Sequence, residues 1–253
     1  MPHTNRPNSK NKSKAKKRLQ VTDSTGWTHV TTTSLSRALP KTTTTTDERI
    51  PPAEPPTNLT LSVLQTQFAR HHERFLASEC WRIISNVLST AIRDQKSQDQ
   101  DLVIVSLALG SPSGFLRGGW VDRRAVSMDQ VVALVCIRDV LRMSPKKKGV
   151  SVYTQDPVYN DLDKALFDAL GITVVEHPRA FDLVSKSSFV YCPGAERVHL
   201  GGILEVMPWG LLGGPLEDME GGDAQRFVQG KSATRVPVYE PNETAFWGMR
   251  VYL

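Results

Sequence analysis

The chain has 253 residues, of which 40% are hydrophobic and 23% are charged, and this ordinary globular composition excludes collagen-like and wholly disordered proteins. No apolar stretch approaches the roughly 20 residues that a membrane span needs. No apolar segment follows the basic N-terminus, as it would in a secretory signal. We therefore expect a protein without a membrane association that is not secreted and that resides in the cytoplasm, the nucleus or both.

The net charge of +5 comes from the N-terminal tail. Residues 1–57 carry ten Lys/Arg and four Asp/Glu, a net charge of +6, whereas residues 58–253 carry 21 and 22, a net charge of −1. The tail is rich in Thr, Pro, Ser and Lys, so we expect it to be disordered. Its basic cluster from Lys10 to Arg18 predicts at most a nuclear-import signal or a weak nucleic-acid contact, and Trp27 is a candidate for docking on the folded body.

The folded domain is predicted to span residues 58–253 and to begin with helical sequence. From Thr60 to Arg93, apolar side chains recur at helical spacing, which predicts one long amphipathic helix or two joined helices. The almost wholly aliphatic run Asp101–Gly110 predicts a buried parallel strand. After a loop rich in Gly, Ser and Arg, Ser127 and Gln130 match a capping box, which predicts a buried helix over about residues 128–143.

Further strands are predicted at residues 150–153, 172–175 and 189–192. Between the first two lies a helix that Asn160 or Asp161 caps and Gly171 ends. Strands that alternate with helices pair in parallel, so the fold class is α/β, a Rossmann-like and mostly parallel sheet flanked by helices. In residues 210–253, two glycine pairs bracket an acidic linker, and Val236–Tyr239 and Phe246–Leu253 are candidate strands.

Two candidate binding positions follow predicted strands. The first is the turn formed by Gly110, Ser111, Ser113 and Gly114, where small residues let a ligand approach and free N–H groups can bind phosphate or carboxylate. The second is Asp156, because an acidic residue at this strand end accepts hydrogen bonds from ribose hydroxyls in Rossmann-like proteins. The alternative in both cases is an ordinary turn, with the acidic residues that follow Asp156 serving to cap a helix.

A third candidate position is Cys192, with Glu196 and His199 nearby in the sequence. Here Cys192 is a candidate nucleophile that His199 would activate. Cys192 and His199 together are also a two-ligand signal for a metal site, which is a weak one. The three cysteines are widely scattered, which indicates a reducing compartment and neither a disulfide framework nor a structural zinc site. His71 and His72 lie on the first helix, where we expect them to face solvent. No metal site is predicted.

The order of these features resembles the SRR-like domain family (Sensitivity to Red Light Reduced), which occurs in plants, fungi and animals. The most specific segment is Asp156–Asp163, with the sequence DPVYNDLD, and the similarity is strongest over residues 100–210. The other matching features are Trp27–Val30, Leu109–Ser111, Gln130, Tyr153 and Leu170–Gly171. After Cys192 the sequence departs from the Pro-His-Cys-Pro-like turn of the family.

The resemblance implies a Rossmann-like domain in proteins tied to circadian or light signalling in plants and to growth, cytoskeletal or haem-linked phenotypes elsewhere. It brings no established reaction, so no catalytic residue carries over and enzyme activity is left open. We expect a regulatory protein that acts through a protein partner or a small ligand. The alternative is a nucleotide- or S-adenosylmethionine-dependent transferase that uses the Gly110 turn and Asp156, and the candidate cofactors are a nucleotide, S-adenosylmethionine or haem.

Overall fold

A computed structural model describes most of the chain, which forms two compact units at residues 1–48 and 49–253. The described residues are 50–94, 101–116, 122–143, 149–195, 197–219 and 222–253, together with two strands of the first unit, β1 at Arg18–Thr22 and β2 at Thr28–Thr32. These two strands pair antiparallel, with Gln20 opposite Val30. An isolated two-stranded ribbon is only marginally stable in water. The predicted features at Lys10–Lys17 and Trp27 lie outside the described residues.

The second unit is built on a seven-stranded sheet with the order β5-β4-β3-β6-β7-β9-β8. The first five strands of this order run parallel, and β9 pairs antiparallel with both β7 and β8. The prediction of a mostly parallel α/β sheet is therefore confirmed. The strands are β3 (Leu102–Leu107), β4 (Val150–Gln155), β5 (Thr173–Val174), β6 (Phe189–Cys192), β7 (Gly210–Gly213), β8 (Ala233–Arg235) and β9 (Arg250–Tyr252).

Seven α-helices among the described residues cover the two faces of the sheet. Buried side chains of α1 to α4 share one apolar core with the even-numbered residues of β3, and those of α5 to α7 share a second core with the odd-numbered ones. The central strand β3 is aliphatic on both faces because both are covered. The helices are α1 (Leu61–Leu76), α2 (Glu79–Asp94), α3 (Arg124–Arg142), α4 (Asp161–Ala169), α5 (Arg179–Asp182), α6 (Arg197–Glu205) and α7 (Gly222–Gln229).

The helical region before β3 consists of two joined helices, one of the two predicted forms. Thr60 caps α1 by accepting a hydrogen bond from the backbone N–H of Val63. In α2, the buried side chains recur every four residues from Cys80 to Ile92, which is the spacing of a single helical stripe. Both helices therefore pack on α3 through the apolar stripe that the sequence indicated.

The predicted start of α3 at a Ser127 capping box is wrong. The helix begins at Arg124, and the backbone N–H of Ser127 already donates to the carbonyl of Arg123 inside the first turn. The Ser127 side chain is instead buried against the turn after β3, since a Cβ on Gly110 would lie 2.7 Å from its Oγ. The prediction that this helix is buried on most faces is confirmed.

Both predicted ends of α4 are confirmed. Asn160 is the N-cap, and Asp163 completes the capping box by accepting from the backbone N–H of Asn160. Gly171 follows the helix with a φ of 68°, a left-handed conformation that favours glycine.

The C-terminal part of the domain differs most from the prediction. Val236–Tyr239 is not a strand, because β8 ends before it at Arg235 and a 3₁₀ helix follows at Glu240–Asn242. The second candidate strand is present as β9, and the predicted acidic linker is followed by α7. At the other end of the domain, Ala53 is only 2% exposed, and its backbone N–H donates to the carbonyl of Val158 at 2.8 Å.

Candidate functional site

The sheet order brings the predicted binding residues together. Numbered from 1 to 5 along the chain, the parallel strands β3 to β7 lie in the sheet order 3-2-1-4-5. The order therefore reverses between β3 and β6, and open α/β sheets usually bind their ligands in the crevice at this position. The Gly110 turn follows β3 and Asp156 follows β4 at the same edge of the sheet. The backbone N–H of Gly110 donates to Oδ2 of Asp156 at 2.8 Å.

The Asp156 carboxylate holds two turns. Its Oδ2 accepts from Gly110, and its Oδ1 accepts from the backbone N–H of Val158 at 3.1 Å. Burial raises the pKa of Asp156, an effect that these hydrogen bonds oppose and the nearby Asp163 adds to. Each oxygen of the proposed ribose acceptor therefore already accepts a hydrogen bond from the protein backbone.

Asp163 is the buried centre of a polar group of side chains that we call the Asp163 cluster: Ser111, Ser113, Asn160 and Asp163. Its carboxylate accepts from the Ser111 hydroxyl at 2.6 Å, the Ser113 backbone N–H at 3.0 Å and the Asn160 backbone N–H at 3.1 Å. Burial raises the pKa of Asp163, and the hydrogen bonds from Ser111 and Ser113 act in the opposite direction.

Asn160 links the Asp163 cluster to the start of the domain. Its side-chain amide donates to the Ala53 carbonyl at 3.1 Å and to the Ser113 hydroxyl at 2.9 Å. Gly114 completes the packing, because a Cβ there would lie 2.7 Å from the Cβ of Ala53. The cluster therefore fixes the loop after β3 against both α4 and the segment that enters the domain.

The donors that the sequence assigned to an anionic ligand are engaged by the protein. The backbone N–H groups of Gly110 and Ser113 donate to carboxylates, and that of Gly114 donates to the Ser111 hydroxyl at 2.8 Å. A phosphate at this turn would have to displace these acceptors and approach two carboxylates. The arrangement makes the loop rigid and offers an anion few open donors.

The crevice at the strand reversal is narrow. Gly194, after β6, packs on the turn after β3 so closely that a Cβ there would lie 2.7 Å from the carbonyl oxygen of Ala108. Ala108 itself has a φ of 58°, a conformation that costs an alanine about 1 kcal/mol or more. The two turns therefore meet where a Rossmann-like protein would place its ligand.

At the third candidate position, the thiol of Cys192 is buried. Burial raises the pKa of Cys192 to about 12, so its thiol stays protonated at neutral pH. The ring of His199 lies 5.7 Å from that of Phe181, centroid to centroid, and Glu196 lies outside the described residues. Burial also raises the pKa of Cys80 and Cys136 to about 12.

Sequence reasoning missed a buried ionic group around Asp129. His71 was expected to face solvent, yet its Nδ1 lies 2.6 Å from Oδ1 of Asp129, whose side chain is fully buried. Arg74 from α1 and Asn242 from the 3₁₀ helix also approach this carboxylate, with a distance of 2.8 Å from Asn242 Nδ2 to Oδ2. The available signal was an aspartate inside a helix that is apolar on most faces, since such a charge needs a partner.

Two buried hydroxyls lie near this group on the same face of the sheet. Tyr191 of β6 stands beside Ser106 of β3 in the parallel register, and neither hydroxyl has a hydrogen-bond partner among the described residues. Burial raises the pKa of Tyr191 well above its ordinary value, and neighbouring thiols and the charge of Asp129 add to this effect. Burial likewise raises the pKa of Tyr239, with Asp129 contributing and Arg74 opposing.

An exposed apolar surface adjoins the aromatic part of the core. The rings of Phe75, Tyr239 and Phe246 contact one another with centroid distances of 5.5 to 5.7 Å. Each of these rings is next in the chain to an exposed apolar residue. The three exposed residues, which we call the Trp247 surface, are Leu76, Val238 and Trp247, and they are 46%, 53% and 74% exposed. The backbone positions of all three therefore lie next to one cluster of contacting rings.

Two open grooves lie away from the predicted site residues. One, of about 490 Å³, runs along α4 and the edge strand β5 and includes Lys164 and Glu176. The other, of about 580 Å³, lies between α2 and the chain end and includes Asp94 and Trp209. In the described ranges, no group of three or more His, Cys, Asp or Glu side chains is arranged to hold a metal ion. None of the described helices has the length and apolar character needed to cross a membrane.

Comparison with known proteins gives one match. A family model described as the SRR1 domain matches residues 64–253, about three quarters of the chain. No curated protein and no solved structure matches the chain.

Proposed function

The chain belongs to the SRR1 domain family, and from this membership we propose that it is a regulatory protein whose Rossmann-like domain acts by binding a protein partner. The observation that carries the proposal is Trp247, whose large aromatic side chain is 74% exposed. Trp is highly buried on average, and exposed apolar groups that gather in one region mark interaction sites. Trp is also prominent among the residues that dominate binding energy at protein interfaces.

The residues around Trp247 indicate that its backbone is held in a fixed position and does not belong to a flexible loop. Its neighbour Phe246 is 2% exposed and packs against Phe75 and Tyr239, so the backbone that presents the indole is anchored in the core. A backbone held in this way has little conformational freedom left to lose when the indole binds, which improves affinity. Val238 and Leu76 supply further apolar area from the same region.

The test is affinity purification with the full chain and its Trp247→Ala variant. We expect a protein partner that the wild type enriches and that Trp247→Ala loses, while the unfolding free energy changes by less than about 1 kcal/mol because the side chain is exposed. Met143→Ala is the matched control, since Met143 is another exposed apolar residue, at 81%, that adjoins α3. Equal enrichment by all three proteins would contradict the proposal.

A second candidate is a nucleotide- or S-adenosylmethionine-dependent transferase that uses the Gly110 turn and Asp156. The supporting observation is that the two positions meet, with 2.8 Å between Gly110 N and Asp156 Oδ2, at the edge where Rossmann-like sheets bind ligands. A thermal-shift screen with nucleotides, S-adenosylmethionine, its demethylated product and haem tests it. A ligand at 100 times its Kd adds about 2.7 kcal/mol of stability, and Asp156→Asn should reduce that gain if this candidate is right.

A link to circadian or light signalling, a cytoplasmic or nuclear location, and a weak nucleic-acid contact through Lys10–Arg18 stay predictions. Fluorescent tagging of the chain with and without residues 1–57 tests the location. Salt-dependent binding to nucleic acid that survives removal of the same residues would eliminate the tail contact.

A further inference from the structure

Three buried hydroxyl groups have no hydrogen-bond partner among the described residues, and all three lie in one core. They belong to Ser106, Tyr191 and Tyr239, each of which is at most 1% exposed. Tyr191 and Tyr239 are part of the apolar core that α1 to α4 cover, and Ser106 lies beside Tyr191 on the same face of the sheet. A buried hydroxyl without a partner is costly, so their concentration in one core requires a polar partner.

The two tyrosine hydroxyls lie near the buried carboxylate of Asp129. Asn242 connects Tyr239 to this carboxylate, because its backbone N–H donates to the Tyr239 carbonyl at 2.9 Å and its side-chain amide donates to Asp129 Oδ2 at 2.8 Å. Burial raises the pKa of both Tyr191 and Tyr239, and in each case Asp129 and the Cys80 thiol add to this effect. Because electrostatic effects weaken with distance, both hydroxyls lie close to the same two groups.

The side chains around the two hydroxyls determine what kind of group can satisfy them. Arg74 also faces Tyr239, but a guanidinium only donates, so it offers the phenolic hydrogen no acceptor. Asp129 Oδ2 accepts one hydrogen bond among the described residues, from Asn242, whereas a carboxylate oxygen can accept two. A water molecule can accept hydrogen bonds from two hydroxyls and donate to a carboxylate at the same time, and it is small enough for a packed core.

We propose that an internal water molecule binds between Tyr191, Tyr239 and Asp129. It accepts a hydrogen bond from each phenolic hydroxyl and donates one to the carboxylate, and about three hydrogen bonds is the usual number for a buried water. Its second hydrogen is available to Ser106, which lies beside Tyr191. This water joins the C-terminal segment at Tyr239 to β6 and α3, which are distant from that segment in the sequence.

The first test counts long-lived water molecules by the magnetic relaxation dispersion of water oxygen, in solutions of the full chain and of its Tyr191→Phe/Tyr239→Phe double variant. A water enclosed in the core exchanges slowly with the solvent and therefore contributes to the dispersion. We expect the double variant to lose one such water, because two of its three partners are gone. Tyr159→Phe is the matched control and should keep it, since the buried Tyr159 hydroxyl lies 2.8 Å from the Thr154 hydroxyl and already has a partner.

The second test is a double-mutant cycle with the same substitutions, measured by urea unfolding of the full chain. Tyr191→Phe and Tyr239→Phe should each raise the equilibrium constant for unfolding by about three- to tenfold, as for the loss of one hydrogen bond. The double variant should raise it by less than the product of the two single effects, because both hydroxyls bind the same water. Removal of a hydroxyl that has no partner would instead lower the unfolding constant.

An equal number of long-lived waters in the wild type and the double variant would overturn the water site, even if the variants were less stable, because the hydroxyls would then bond directly to the protein. A single variant that is as stable as the wild type, or more stable, would overturn it as well. Should the double variant not fold, the sign of the stability change in Tyr191→Phe and Tyr239→Phe still decides.

Discussion

Replacement of Asp163 by alanine should destabilise the domain more than any other single change at the predicted binding edge. The carboxylate is buried and accepts three hydrogen bonds, two from backbone N–H groups and one from the Ser111 hydroxyl. We expect the buried backbone N–H groups of Ser113 and Asn160 to lose their acceptor with the carboxylate, whereas the Ser111 hydroxyl can rotate.

The expected loss in unfolding free energy follows from the two backbone N–H groups that lose their acceptor. Each buried donor without a partner costs about 1–3 kcal/mol, which gives about 2–6 kcal/mol for the pair. Removal of the carboxylate also removes the desolvation that raises its pKa, which offsets part of this cost. We expect a net loss of about 2–4 kcal/mol in the free energy of unfolding.

The assay is urea unfolding of the full chain, followed by circular dichroism at neutral pH. Asp161→Ala is the matched control, because Asp161 is an exposed residue in the first turn of the same helix and contributes less than about 1 kcal/mol through the helix dipole. A loss for Asp163→Ala below about 1 kcal/mol would refute the reasoning, because the donors would then have found other acceptors.

The difference in unfolding free energy between the wild type and Asp163→Ala should also change with pH, in a direction that the pKa shift of Asp163 determines. Because the pKa of Asp163 is raised in the folded state, the folded protein binds its proton more readily than the unfolded chain does. That contribution is fully present below the unfolded pKa of about 3.9 and is lost as the pH rises through the folded pKa. The stability advantage of the wild type over Asp163→Ala should therefore shrink as the pH rises from about 4, and a growing advantage would contradict the assigned cause.

Three further outcomes are expected from the packing. Gly202→Ala should raise the unfolding free energy by up to about 1 kcal/mol, because the new Cβ in α6 meets no described residue within 4 Å and alanine favours the helix. Gly194→Ala should lower it by about 1–3 kcal/mol, since its Cβ would lie 2.7 Å from the Ala108 carbonyl, and no loss would show that the two turns can separate. The three buried cysteines should resist a thiol-specific disulfide reagent at neutral pH in the native protein and react in denaturant, because their pKa values are about 12, and a fast native reaction would indicate local opening.

Four of the five parallel strands, β3 to β6, were predictable because their signals are local. An aliphatic run marks β3, and Asn160 with Asp163 marks the start of α4 through side chains that bond to the backbone within three residues. Alternation of strand and helix then implies parallel pairing, because a short right-handed crossover allows little else. Each of these inferences depends on residues that are close in the chain.

The start of α3 was mispredicted, and the strands β7 and β8 were not predicted, because local signals there were overruled. Ser127 fits a capping box, but its hydroxyl packs against Gly110 across the core and the helix extends back to Arg124. The strand β7, with the sequence GLLG, is too short and glycine-rich to be recognised, and it forms because β6 and β9 pair with it on either side.

For the candidate site, the amino-acid sequence by itself determined that the Gly110 turn and Asp156 follow neighbouring strands, and it carries the motif of the SRR1 domain family. Only the tertiary structure decided that both carboxylate oxygens of Asp156 accept hydrogen bonds from backbone N–H groups. It also decided that Asp129 accepts a hydrogen bond from Asn242, which lies 113 positions away in the chain. Residue type fixes which bonds a side chain can make, and the propensities of nearby residues fix helices and strands. Which partner satisfies a buried charge depends on which distant segments the core brings into contact, and that is a property of the whole fold.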